Sequence, residues 1–238
     1  MTLENGHEGA SGPSFRPKDD RFYGRRKGRP LTPHRQKLLA SLLPELRIDI
    51  DVPQRGGLAA LFKSPVSDIW LEIGFGGGEH LVEQAVRRPD VGFVGAEPFI
   101  NGVAKVVAQV SARGLGNVRI LDNDARPLIA WLPASSLGRA FILFPDPWPK
   151  RRHDGRRIVS SDLIGELARA LRPGAKLTIA SDIEPYIRGV MDVLNDTSAF
   201  EAVERDVLLR PADWAVTRYE EKALAAGRTC RYLEFIRL

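Results

Sequence analysis

Phe144-Pro145-Asp146-Pro147-Trp148-Pro149-Lys150, with Arg151, Arg152, His153, Asp154, Gly155, Arg156 and Arg157 behind it, gathers a carboxylate, a flat aromatic and a cationic cluster. An acid beside an indole suits a planar polar substrate, and the cations suit phosphates. Prolines at 145, 147 and 149 fix their own φ and bias each preceding residue toward extended geometry, which predicts a stiff loop carrying Asp146 and Trp148. Two readings stand for each: Asp146 as a ligand-facing acid or as an Asx-turn before Pro147, Trp148 as a stacking platform or as a lid over the core. Without its neighbouring loop, the basic run would be a solvated face as readily as an RNA contact.

A second constellation lies upstream. Leu71-Glu72-Ile73-Gly74-Phe75-Gly76-Gly77-Gly78 is read as a strand-to-helix turn in which Gly74 and Gly76 let backbone N–H groups approach a ligand. Glu97 follows at the distance of an acid that grips a ribose diol, and Asp122-Asn123-Asp124-Ala125 supplies Asp124 as an acceptor for an adenine amino group. Asp122 is read equally as a strand-end cap. With Glu72 and Asp146, a carboxylate closes each of the first four strands. That pattern suits a cationic nucleoside such as S-adenosylmethionine, which has an ammonium, a sulfonium and no phosphate; a dinucleotide wants a bare helix N-terminus.

These residues need a scaffold, and the apolar pattern predicts one. Asp68 to Ile73, Val91 to Ala96, Val118 to Leu121, Ala140 to Phe144 and Lys176 to Ala180 read as short buried strands. Glu79 to Arg88, Ile100 to Arg113, Arg126 to Trp131, Ser161 to Leu171 and Pro185 to Asn195 carry helical spacing between them. Such alternation predicts an α/β, Rossmann-like, doubly wound and mostly parallel sheet. Phe200 to Glu204 and Cys230 to Arg237 read as two late strands, adding an antiparallel C-terminal edge.

Composition narrows the class further. The 238 residues are 43% hydrophobic, enough for one substantial core. No apolar run reaches membrane-spanning length and Cys230 is the single cysteine, so the expectation is a cytoplasmic protein without an intramolecular disulfide or membrane anchor. His7, His34, His80 and His153 have no metal-ligand spacing to one another or to Cys230, so no metal is expected. Net charge is +5, and residues 1–37 carry nine bases against four acids, so the remainder is formally balanced. Residues 1–37 are accordingly expected to be a basic, flexible N-terminal tail, with the folded domain spanning 38–238.

Four blocks, LEIGFGGG (71–78), VGAEPF (94–99), FPDPWPK with RRHDGRR (144–157) and TRYE (217–220), resemble the tRNA (guanine-N7) methyltransferases. The resemblance covers roughly Leu38 to Leu238. It departs from the family at Gly155, often a base there, and at Tyr219, commonly phenylalanine. It implies S-adenosylmethionine as cofactor, tRNA as partner, a variable-loop guanine as target, and cofactor contacts from Glu72, Glu97 and Asp124. It further implies Asp146 as the catalytic aspartate, also near the cofactor, and Lys150, Asp182, Thr217, Arg218, Tyr219 and Glu220 as substrate contacts. On residue pattern alone, Thr217 to Glu220 is an ordinary helix start and Asp182 a cap for the following helix. Arg151, Arg152, His153, Arg156 and Arg157 are expected along the RNA.

The chemistry of such a target asks little of the protein as a base. Guanine N7 has an in-plane lone pair and attacks a sulfonium methyl without losing a proton, so orientation and a fixed negative charge carry the rate. Three other classes stay in view: a methyltransferase acting on an exocyclic amine, an RNA-binding protein retaining the fold without activity, and a dehydrogenase using the glycine turn and Glu97.

Overall fold

The computed structural model describes residues 24–52 and 56–238. Its centre is a sheet of seven strands in the order β3-β2-β1-β4-β5-β7-β6. The strands are β1 (Asp68–Ile73), β2 (Val91–Ala96), β3 (Val118–Leu121), β4 (Leu137–Leu143), β5 (Leu171–Ser181), β6 (Phe200–Ala202) and β7 (Arg231–Arg237). Strands β1 to β5 are parallel; β7 runs antiparallel against β5, and β6 antiparallel against β7. Chain order reverses at β1, with β2 on one side and β4 on the other, and this switch opens a crevice beyond the strands' carboxyl ends.

Helices cover both faces: α1 (Pro33–Ser41), α2 (Leu43–Leu46), α3 (Glu79–Arg87), α4 (Ile100–Arg113), α5 (Ala125–Trp131), α6 (Ser161–Ala170), α7 (Glu184–Asn195) and α8 (Arg218–Ala225). Alternation within each strand divides the core. Val94 and Ala96 join Ile69, Leu71 and the apolar sides of α5, α6 and α7, whereas Val91 and Phe93 pack with Leu81, Val106 and Leu46 from α3, α4 and α2. A third cluster, including Phe141, Trp214 and Tyr232, fills the space under α8. Helix starts use short polar caps, Ser160 Oγ accepting from Leu163 N and Thr217 Oγ1 from Glu220 N, while α4 stops at Gly114 in the left-handed region.

Several expected boundaries move. Strand β4 begins at Leu137 and β5 at Leu171: these two buried leucines pair with each other, and after a register shift Arg139 pairs with Lys176. Strand β6 stops at Ala202. The larger correction is at the N-terminus: α1 begins at Pro33 behind a Thr32 cap, inside the segment expected as tail. Residues upstream of it are docked as well, with Arg26 O accepting from Ile100 N, Gly28 N donating to Asn101 Oδ1, and Asn101 Nδ2 donating to Arg29 O. The remainder of the expected tail, 1–23, lies outside the described residues.

Gly102, in the first turn of α4, lies against the glycine turn after β1: a Cβ there would stand 2.2 Å from Gly76 O and 3.1 Å from Gly76 C. Backbone on both sides leaves nothing soft to yield. Gly102→Ala is therefore expected to destabilise by about 1–3 kcal/mol as an overpacked site. Gly165, inside α6 with nothing within 4 Å of an added Cβ, should gain about 0.5–1 kcal/mol on replacement by Ala. Urea unfolding of both variants tests the pair; equal shifts would contradict the packing account.

Candidate active site

The crevice at the switch point holds a cavity of about 440 Å³. Its floor is the turn after β1, where Gly74, Gly76 and Gly78 have φ of 72°, 53° and 75°. Such values suit glycine and bring main-chain N–H groups round to face the end of β2. Gly76 N donates to Glu97 Oε2 at 2.7 Å and Phe99 N to Glu97 Oε1 at 2.9 Å. Glu97 is 8% exposed, and each oxygen keeps a lone pair for a further donor. Asp124 caps α5 through Oδ1, accepting from Arg126 N, while Oδ2 pairs with Arg126 Nη1 at 2.8 Å. Both Asp124 and Arg126 line the cavity.

Asp146 reaches the cavity from the opposite wall, on the loop after β4. That loop departs from its expected geometry. Phe144 and Trp148, each preceding a proline, have φ of 49° and 41°, in the left-handed region that side chains ordinarily avoid. Arg157 supports this shape by donating from Nε to Pro147 O and from Nη2 to Trp148 O, while pairing with Asp154 at 3.0 Å. The guanidinium expected along RNA thus clasps the loop from behind. Trp148 is flanked by the same segment, with Arg156 5.1 Å from its ring centroid and His153 edge-on at 5.6 Å.

The outer rim is basic. Lys150 and Arg152 are exposed, and Arg25, Arg156 and Arg218 line the cavity mouth. Desolvation and the neighbouring cations Arg156, Arg152 and Lys150 lower the pKa of His153, so it adds no charge to the rim near neutrality. The Arg151 side chain lies outside the described residues.

The structure brings Gly74, Gly76, Glu97, Asp124, Asp146, Arg156, Arg218 and Tyr219 to one cavity. Tyr219 leans over the glycine turn, its Cε2 3.2 Å from where a Gly76 Cβ would stand, and burial followed by the charges of Glu97 and Asp146 raises its pKa. Other expected residues are placed elsewhere. Thr217 is buried as the α8 cap, and Glu220, 2% exposed, accepts from Tyr232 Oη at 2.6 Å. Their side chains hold α8 in place and do not line the cavity. Asp182 pairs with Arg228, and Ser181 Oγ, not Asp182, accepts from Ile183 N ahead of α7. Glu72 does not line the cavity; it is buried and bound to His80. Asp122 is taken by a two-pronged contact from Arg47.

Sequence reading missed Arg25, Arg126 and His80. The first lay in a segment read as tail, and the other two gain meaning only from neighbours brought close by the fold. Among the described residues no group of three His, Cys, Asp or Glu is arranged to hold a metal ion.

Burial raises the Glu97 carboxyl pKa, the Phe99 and Gly76 N–H groups pull it back, and the charges of Asp146 and Glu72 raise it again. Between the ordinary carboxylate value and the raised one, the folded chain holds a proton that the unfolded chain has released. The Glu97 contribution to the stability of the free protein therefore falls as pH rises through this window. A ligand needing the ionised carboxylate weakens as pH falls through it. Opposite trends are expected: on acidification, the melting temperature of the parent rises relative to Glu97→Gln while its affinity for S-adenosylmethionine drops. A flat affinity profile in calorimetric titrations would remove Glu97 from the ligand.

A family model described as "Putative methyltransferase" matches residues 67–233. The tRNA (guanine-N(7)-)-methyltransferase of Rhizobium meliloti (strain 1021) is 46% identical over 219 residues, covering 91% of this chain and 94% of that one. The protein of that name from Rhodospirillum rubrum is 46% identical over 225 residues, covering 92% and 88%. Among solved structures, the 16S rRNA methyltransferase KamB aligns with TM-score 0.58 at 18% identity, covering 77% of this chain and 96% of its own. A 16S rRNA (adenine(1408)-N(1))-methyltransferase mutant from Catenulisporales acidiphilia, with cosubstrate SAM, gives 0.54 at 18%, covering 80% and 92%. At that identity the two structures speak for the fold alone. Identity near one half along almost the whole chain, and a family model spanning β1 to β7, establish that the chain belongs to the tRNA (guanine-N(7)-)-methyltransferase family.

Proposed function

We propose that this protein transfers a methyl group from S-adenosylmethionine to N7 of a guanine in the variable loop of tRNA, in the cytoplasm. One observation carries the reading within the family. A single cavity joins a glycine turn tied to a buried carboxylate, Glu97, with a second carboxylate, Asp146, held on a loop of enforced shape. Burial raises the Glu97 carboxyl pKa and the charges of Asp146 and Glu72 add to the rise, which makes this a place where a cation is welcome. No helix among the described residues is long and apolar enough to cross a membrane.

The reading assigns each residue a role. Glu97 accepts from the two ribose hydroxyls, Asp124 from the adenine amino group, the backbone of Gly74 and Gly76 lies along the ligand, and Glu72 serves its amino-acid end. Held by these residues, S-adenosylmethionine would supply a methyl group activated by a sulfonium, and guanine N7 would accept it without a proton having to be removed. Asp146 accepts hydrogen bonds from the Watson–Crick edge and faces that growing charge. Arg157 keeps the Asp146 loop in shape. Lys150, Arg152, Arg156, Arg218 and Arg25 meet phosphates around the mouth, and Tyr219 closes over the base. Asp182, held by Arg228, sets the neighbouring rim, while Thr217 and Glu220 serve the substrate indirectly by fixing α8.

Incubation with bulk tRNA and methyl-labelled cofactor should place label on 7-methylguanosine in the variable loop; label on an exocyclic amine would overturn the assignment. Asp146→Asn should lower kcat by about 10²–10³ with both ligands saturating, while tRNA affinity changes less. A parent-like single-turnover rate would reduce Asp146 to a binding or loop-shaping residue. Replacing Lys150 and Arg152 together should weaken tRNA binding and flatten its salt dependence by about one counterion per lost contact, leaving cofactor affinity alone. An unchanged salt slope would return these two to a solvated face.

A further inference from the structure

The Glu72 side chain is on the face of β1 opposite Leu71 and Ile73, directed toward the start of α3. There it meets His80: Nδ1 and Glu72 Oε2 are 2.7 Å apart, with His80 1% and Glu72 4% exposed. The pair spans the glycine turn, one partner at its entry and the other just beyond its exit. Behind His80 stand Phe141, 4.6 Å between ring centroids, and Trp214, at 5.2 Å, both edge-on. This aromatic box leaves Nε2 buried without a hydrogen-bond partner. Among the described residues the imidazole therefore has one hydrogen-bonding contact, and it is with Glu72.

A carboxylate withdrawn from water is costly unless its oxygens are served, and a lone acid could neutralise itself by taking up a proton or swing to another rotamer. With Glu72 as the acceptor, Nδ1–H donates to Oε2, fixing the carboxylate in orientation. Oε1 is left for a second partner. Glu72 is followed directly by Ile73 and Gly74, both of which line the cavity, so the pair stands next to the crevice. The aromatic box holds the imidazole ring, the imidazole holds the carboxylate, and the carboxylate is ready for a cation.

We propose that His80 is a positioning residue for the cofactor's amino-acid end, orienting Glu72 so that Oε1 receives the α-ammonium group. The proposal rests on the cofactor reading of the cavity given above. It separates the two ends of the ligand: His80 should matter for the amino-acid portion and not for the adenosine portion held by Glu97 and Asp124.

The test compares S-adenosylhomocysteine, which has the amino-acid end, with 5′-methylthioadenosine, which lacks it, by calorimetry on the full chain. In the parent, S-adenosylhomocysteine should bind more tightly. His80→Phe keeps a ring in the aromatic box but removes the donor, and should lose about tenfold or more in S-adenosylhomocysteine affinity with 5′-methylthioadenosine unchanged. His80→Asn, whose amide nitrogen stands where Nδ1 stood, should retain most of the preference. His80→Gln, whose amide reaches the Nε2 position, should lose it. If His80→Phe fails to fold, by near-ultraviolet dichroism, the Asn and Gln contrast decides. Equal losses for both ligands would mean His80 only shapes the cavity, and no loss for either would remove it from the site; each overturns the proposal. A parent protein that binds neither ligand would instead sink the cofactor reading itself.

Discussion

The grip of Glu97 on two main-chain amides is the contact on which the active site depends. Its carboxylate closes the end of β2, takes the N–H of Gly76 across the crevice, and takes the N–H of Phe99 just before α4. Gly102 presses the same turn from below, its missing side chain leaving room for Gly76 O. The glycine turn is therefore held by a charge-assisted hydrogen bond on one side and backbone contact on the other. A loop of glycines would otherwise carry the largest conformational entropy in the chain. Held this way, it is ordered before any ligand arrives, and binding need not supply that order.

Electrostatics divides the molecule's surface around this point. Inside the crevice burial, with the charges of Asp146 and Glu72 added, raises the pKa of Glu97. Outside, Arg25, Arg156, Arg218, Lys150 and Arg152 form a basic rim. A ligand that is cationic at its reactive centre and a polymer that is anionic along its backbone are thereby sorted to different depths. The arrangement needs rigid boundaries, and Arg157 supplies one by binding the Pro147 and Trp148 carbonyls.

Most of the sheet was legible because its strands are buried on both faces and read as plain apolar runs. Val91–Ala96 and Ile100–Arg113 match expectation to the residue. The starts of β4 and β5 were not legible, since Gly138-Arg139 and Arg172-Pro173-Gly174 separate the buried Leu137 and Leu171 from the apolar runs that follow. Helices α1 and α2 were overlooked because basic residues around them mask Leu38, Leu39, Leu43 and Leu46, which pack on α4 and its neighbours. The acids at strand ends were readable as a set, and the shared cavity contains three of the four. What each acid touches was not readable: Glu72 finds His80 only after the glycine turn folds back, and Arg157 turns from the basic run toward carbonyls ten and nine residues earlier. Thr217 and Glu220 carried two readings, cap and substrate contact, and their side chains are occupied by the first and by Tyr232.

The strand order β5-β7-β6 sets a schedule for assembly. Strand β6 precedes β7 in the chain, yet among the described residues β7 is its one strand neighbour and lies between it and β5. While a ribosome is still extending the polypeptide, the sheet can grow only as far as β5, and β6 has to wait with an open ladder. Helix α8 lies in the waiting segment, and the Tyr232 contact that seats Glu220 comes from β7 itself. Tyr219 and Arg218 therefore stand on a helix whose seat depends on β7 being in the sheet. A half-made chain, surrounded by RNA at the site of its own synthesis, has the glycine turn and the Asp146 loop but lacks the wall that completes the crevice.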